Sequence, residues 1–230
     1  MRLVLVVVKF CNMCYNNGMN GYDFDDTILK GNSMVRFSMF CSLRLPYMIL
    51  FIPVLIVAFL LRAMRILNKN RYLHMISWFV ALVPNTERFV EKFWDRNMKH
   101  IKAWYLAQRR DDDVVVSASP QFLVGEACRR LGIRCVASPL STNARLCGEH
   151  IYAEQKVEKY KMLFGDENLS TYYSDSLSDT PMFQFAERGY FVSGNDVLLL
   201  YENGQKLLPY NNKRQLRRYL RAQNKMRGVQ

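Results

Sequence analysis

Beyond Arg110 the chain alternates short apolar runs with amphipathic stretches, and this alternation limits the possible folds more than any other feature. Residues 114–116, 133–136, 171–173 and 190–192 read as buried strands, and residues 121–131, 154–163 and 179–187 as helices. Strands that alternate with helices predict a parallel sheet covered on both faces, a three-layer α/β/α core. In such sheets chemistry gathers beyond the carboxyl ends of the strands. No internal repeat is visible.

Four polar places lie where that rule points. A short segment, residues 19–22, runs into Asp23-Phe24-Asp25-Asp26-Thr27, with carboxylates at i and i+2 that share one site if the chain then curls. Residues 114–116 are followed by Ser117-Ala118-Ser119-Pro120, a hydroxyl and backbone amides at a helix start, which suits an anion. Lys156 lies near the start of a helix, and Tyr172-Tyr173 leads into Ser174-Asp175-Ser176-Leu177-Ser178-Asp179. Taken singly, each has a plain reading: Asp25 and Asp179 as caps, Ser117 as a turn residue, Lys156 as a solvated charge. Taken together, the carboxylates repel one another unless a hard divalent cation sits among them. Mg²⁺ is held by few carboxylates, several waters and phosphate oxygens, and a lysine with a serine hydroxyl completes a phosphate cradle. The set predicts phosphoryl transfer.

DFDDT at 23–27, VVVS at 114–117, Lys156 and SDSLSD at 174–179 resemble the four motifs of the haloacid dehalogenase (HAD) superfamily, in the subgroup of phosphoserine phosphatase. The long insertion after the first motif is also similar in layout to the phosphatidylglycerophosphatase C group of bacterial membranes. The resemblance implies a Mg²⁺-dependent phosphomonoesterase. Asp23 would be the nucleophile and become a phosphoaspartate. Asp25 would protonate the leaving alkoxide and activate the attacking water. Ser117 and the amides around Ala118 would hold phosphoryl oxygens, and Lys156 would neutralise charge on the same group. Asp23, Asp25 through its carbonyl, and Asp175 would ligate the metal, with Asp179 a ligand or a partner that orients water and Lys156. Asp26 departs from the pattern, since many relatives have glycine there.

The expected layout is an N-terminal extension (1–18), a catalytic core (19–30 and 107–210), an inserted helical, partly hydrophobic cap (31–106) and a basic tail (211–230). Within the insertion, residues 45–61 run for seventeen residues without a charge, interrupted by Pro46 and Pro53, and Arg62, Arg65, Lys69 and Arg71 come directly after. That is the lower limit for crossing a bilayer. Asp23 and Ser117 must meet in one site, so a single complete span by this run is forbidden. It either dips into a membrane and returns, or forms the core of a cap. A second apolar stretch, residues 75–83, is too short to cross. Residues 85–105 carry apolar positions at spacings of three and four, which predicts one amphipathic helix.

Thirty-two Lys and Arg against twenty Asp and Glu leave a net charge of +12, which attracts polyanions. Seven of those cations lie between Lys213 and Arg227 with no acid among them, the pattern of a segment that rests on anionic lipid. Residues 28–40 contain no acid and carry Lys30 and Arg36, which disfavours a zwitterionic amino-acid substrate and favours a more anionic or lipid-linked phosphate. The expected setting is the cytoplasmic face of a bacterial membrane, touched by residues 45–61 and the basic tail. A soluble phosphatase for small metabolites is the alternative within enzymes. A non-catalytic lipid or nucleic-acid binder fits the charge but has no need of an acid cluster, so nucleic acid is disfavoured. The cysteines at 11, 14, 41, 128, 135 and 147 do not form a secreted disulfide framework, and the lone Cys11/Cys14 pair lacks partners for zinc. Oligomeric state is not legible.

Overall fold

The computed structural model describes residues 18–64, 66, 80–140, 151–165, 167 and 169–227. Cys11, Cys14, Cys147, Arg65, Lys69, Arg71 and residues 75–79 of the second apolar stretch lie outside them.

Seven strands form one sheet in the order β3-β2-β1-β4-β5-β6-β7. They are β1 (Met19–Tyr22), β2 (Val114–Pro120), β3 (Arg134–Ser138), β4 (Leu169–Ser174), β5 (Arg188–Ser193), β6 (Asp196–Glu202) and β7 (Gln205–Lys206). The first five pair in parallel, as the alternation predicts, and β6 and β7 add an antiparallel edge. The sequence reading lacked that edge, although the signal was present: Asn203-Gly204 joins β6 to β7 with φ of 48° and 75°, the left-handed pair that a tight hairpin needs.

Successive residues of the buried strands face opposite layers. Val114 and Val116 of β2, Tyr172 of β4 and Phe191 of β5 join one apolar cluster, while Val115, Tyr173 and Tyr190 join the other. Across β1, β4 and β5 the register sets Tyr22 beside Tyr173 and Tyr173 beside Tyr190. Their rings stack at 4.8 and 4.7 Å, each 9° from parallel. This ladder lies immediately before the loops that leave β1 and β4.

The helices are α1 (Ser33–Ser42), α2 (Ile52–Ala63), α3 (Thr86–Asn97), α4 (Ala103–Gln108), α5 (Gln121–Leu131), α6 (Glu154–Phe164), α7 (Thr180–Phe185) and α8 (Lys213–Arg227). Phe37, Phe93 and Trp94 of the insertion share a cluster with Tyr22, Val115 and Leu123 of the core, and Trp94 donates its indole N–H to the Leu123 carbonyl at 2.8 Å.

Two helix expectations need correction. The amphipathic pattern of 85–105 breaks into α3, a 3₁₀ turn at Met98–His100, and α4. At the break Ile101 bridges Leu29 and the Lys102 amide bonds the Ile28 carbonyl, so the segment after α3 is claimed by the first-motif loop. The helix expected over 179–187 is shorter, because Glu187 N donates to Leu169 O and starts the approach to β5.

The apolar run is a 3₁₀ turn, Pro46–Phe51, followed by the 12-residue α2. A helix of that length spans about 18 Å against a hydrocarbon core of about 30 Å, and among the described residues no helix is long and apolar enough to cross a membrane. Tyr47, Ile49, Leu50, Phe51, Val54, Ile56, Val57 and Leu60 are all exposed, with Met48 and Ala58 buried.

Candidate active site

β1 and β4 are neighbours at the middle of the sheet, so the loops that leave them converge. Asp23 N donates to Tyr173 O at 2.8 Å, extending the ladder one step past β1. The chain then curls, with Ile28 N and Leu29 N both bonding Phe24 O. Asp26 makes the turn with φ of 56°, a left-handed conformation that glycine adopts freely and aspartate tolerates. Its departure from the family pattern therefore preserves the loop. Asp26 N reaches Gly31 O, and Gly31 N returns to the Asp26 carboxylate, both at 3.1 Å.

Lys156, on α6, is 2% exposed and ties the motifs together. Its ammonium lies 2.9 Å from Asp23 Oδ1 and 2.8 Å from Asp179 Oδ2. Tyr172 O–H and Ser174 O–H also converge on Asp179 Oδ2, at 3.5 and 2.7 Å. Asp179 is thus held by three donors inside the protein, which suits an orienting partner of Lys156 better than an open ligand. Burial opposes the charge of Lys156, but Asp23, Tyr172 and Asp179 outweigh it and hold the ammonium well above its usual pKa. Burial, opposed by Lys156 and helped by Asp179 and Asp175, raises the Asp23 pKa to about 7 in all.

Asp25 is held by a different set of donors. Its carboxylate accepts from Ser33 N at 2.7 Å, Asn32 Nδ2 at 3.2 Å and the Ser119 hydroxyl. Burial raises its pKa against those bonds. A carboxyl that keeps its proton longer is suited to donate one.

The Asp175 amide donates to Thr27 Oγ1 at 2.9 Å, which joins the first-motif loop to the loop after β4. Ser117 is buried and accepts from Ser119 N at 3.2 Å. Because Tyr22 pairs with Val115, register carries Ser117 and Ala118 to the same sheet end as Asp23; among the described residues no hydrogen bond joins Ser117 to Asp23 or Lys156. The Ala118 carbonyl is taken by Ser138 Oγ at 2.8 Å.

Several site residues were not read from the sequence. Ser119, Asn32 and Ser33 hold Asp25. Lys102 donates to the Asp26 carbonyl at 2.5 Å and to the Gly194 carbonyl at 2.8 Å, fastening the first-motif loop to the β5–β6 turn. Lys213, from α8, pairs with Asp175 Oδ2. Ser119 stood within a quoted motif; Asn32 and Ser33 reach Asp25 through the local curl of the chain, and Lys102 and Lys213 are met only through long-range folding.

Among the described residues no group of three Asp, Glu, His or Cys is drawn together tightly enough to hold a metal alone. Mg²⁺ does not require one, since one or two carboxylates plus waters and phosphate oxygens suffice. Asp23 and Asp175, close enough to raise the Asp23 pKa, are oxygen donors of the right kind for that ion.

The haloacid dehalogenase-like hydrolase family matches residues 21–184. The chain belongs to this family. Solved structures similar to this HAD protein include a protein of unknown function from Bordetella pertussis Tohama I, at TM-score 0.60 and 16% identity over 74% of this chain and 87% of that one. A HAD family hydrolase from Salmonella enterica subsp. enterica serovar Typhi gives 0.53 and 13%, over 74% and 60%. A phosphoserine phosphohydrolase-like protein from Francisella tularensis subsp. tularensis SCHU S4 gives 0.50 and 12%, over 75% and 85%. At such identities the likeness is one of fold. No curated protein matches the chain. The expectations of this family and of its α/β fold are borne out by the family match and these neighbours, and the family match makes the chain a hydrolase.

Proposed function

We propose that the protein hydrolyses a phosphomonoester through a phosphoaspartate on Asp23, and that the preferred substrate is a lipid phosphate of the phosphatidylglycerophosphate kind. The observation that carries the first part is the buried Lys156 ammonium set between Asp23 and Asp179, with Asp25 in the same loop held by Ser33, Asn32 and Ser119. In this arrangement Asp23 Oδ2 is left to attack phosphorus, with Thr27 Oγ1 3.5 Å away. Lys156 is fixed beforehand to neutralise the charge that builds up, so little reorganisation is needed at the moment of transfer. Asp25 gives a proton to the leaving alkoxide and then takes one from water, Ser119 and Asn32 keeping its carboxyl in place. Asp23, Asp175 and the carbonyl of Asp25 are the groups that would hold Mg²⁺, which when bound supplies charge stabilisation to the transferring phosphoryl group.

The rim of the site supports an anionic, lipid-linked substrate. The Leu29–Ile101 bridge and the Lys30 N to His100 O bond at 2.9 Å bring Lys99 and His100 beside Lys30. The Arg36 guanidinium lies over Gly31, next to the residues that hold Asp25. Among the described residues none of Lys30, Arg36 and Lys99 is ion-paired. Partial burial, then Arg36, Lys99 and Lys30, depress the His100 pKa, as expected of an imidazole in a positive cluster. The exposed apolar residues of the 3₁₀ turn and α2 fit insertion into the interfacial layer of a membrane at its cytoplasmic face.

Phosphate release from phosphorylated lipid in mixed micelles, compared with small phosphometabolites, tests the reading. Mg²⁺-dependent turnover of the lipid, abolished in Asp23→Asn, is expected. Turnover of small metabolites alone would favour a soluble phosphatase, the activity named for the Francisella neighbour, and equal activity in Asp23→Asn would refute the mechanism.

A further inference from the structure

The first turn of α8 contains Lys213 and Arg214 and no acid. Cations there oppose the positive end of the helix dipole. The turn is closed instead by Asn212, whose side-chain oxygen accepts from Gln215 N at 2.9 Å. Leu216 and Leu220 are fully buried and belong to the cluster of Met182, Phe183, Leu198 and Leu200. Packing, not a loose tether, therefore decides where α8 begins. It begins where Lys213 meets the Asp175 carboxylate, which is mostly buried. An ammonium placed badly for its helix is placed well for a catalytic carboxylate. Lys213 also lies beyond residues 21–184, so the family pattern does not include it.

We infer that Lys213 is a residue of the active site and sets how tightly the site holds its divalent cation, because ammonium and cation contend for Asp175 Oδ2. The inference rests on the phosphoryl-transfer reading, in which Asp175 is a metal ligand. A cation that takes Asp175 displaces a lysine whose backbone α8 keeps anchored, so the ammonium stays at the edge of the site and returns when the cation leaves. Arg214, Arg217, Arg218, Arg221 and Lys225 of α8 face solvent and do not share this contact.

The test is a Mn²⁺ titration of the full-length protein, free Mn²⁺ being read by electron paramagnetic resonance, together with acylation of lysines followed by mass spectrometry. Lys213→Met is expected to bind Mn²⁺ up to about fivefold more tightly than the wild type, the worth of a partly exposed ion pair. In the wild type, saturation with Mn²⁺ is expected to raise acylation of Lys213 while leaving Lys225 unchanged. Equal affinity with unaltered Lys213 acylation overturns the inference and leaves the phosphoryl-transfer reading standing. Absence of Mn²⁺ binding by the wild type overturns both. If Lys213→Met does not fold, acylation of the wild-type protein decides the matter alone.

Discussion

Asp113 is fully buried just before β2, where it accepts from Arg110 N at 3.0 Å and from Asn20 Nδ2 at 3.3 Å. Burial raises its pKa from 3.8 to about 6 despite those bonds. The native carboxyl keeps its proton up to about 6, while the unfolded chain releases it near 4. Between those values the native state binds more protons, so this residue's contribution to stability is lost as pH climbs through the window. A rise from 3.8 to about 6 is worth about 3 kcal/mol. Urea midpoints measured from pH 4 to 7 are expected to fall more steeply for the wild type than for Asp113→Asn; parallel profiles would contradict this. Lys102 makes a second prediction. With no carboxylate partner among the described residues and two carbonyls on its ammonium, it positions the loop that carries Asp23. Lys102→Met is expected to lower kcat by roughly tenfold or more with KM little changed, whereas a purely structural role would lower thermal stability and leave kcat per folded molecule intact. Asp23, Asp25, Lys156, Asp175 and Asp179 were legible because each follows a strand or begins a helix. Lys102, Asn32 and Lys213 were not, since their partners lie 76, 7 and 38 residues away and only chain reversal brings them close.

The tyrosine ladder carries the site at the level of elements. Tyr173 is stacked between Tyr22 and Tyr190, one step before the Asp23 amide bonds its carbonyl. Tyr173→Ala removes both stacks and leaves a cavity under the two catalytic loops, and a loss of about 3–5 kcal/mol is expected in urea denaturation. A loss below about 1 kcal/mol would show that the ladder contributes little. Hydrophobic alternation made β2, β4 and β5 readable, and α5 was read to its observed bounds, Gln121–Leu131. The α3–α4 break was hidden because its cause is the pairing of Ile101 and Lys102 with residues 28 and 29, which helical spacing does not register. The β6–β7 hairpin shows the opposite failure, a local Asn-Gly signal that was present and passed over.

For the whole molecule, charge and apolar surface make a joint prediction. A net charge of +12 and the exposed face formed by Leu50, Val54, Val57 and Leu60 call for binding to anionic vesicles by two separable forces. Co-sedimentation with phosphatidylglycerol vesicles is expected to weaken as salt screens the cations, and Leu50→Asp with Val54→Asp to weaken it even at low salt. Failure to sediment with anionic vesicles at low salt would contradict membrane contact. Everything proposed for the chemistry depends on a phosphoryl group passing to one carboxylate oxygen. The direct measurement is an acid-quenched single turnover followed by peptide mass spectrometry. The wild type is expected to yield a phosphorylated peptide containing Asp23 that is absent from Asp23→Asn; a turning-over enzyme that never phosphorylates this peptide, or phosphorylates another residue, would contradict it.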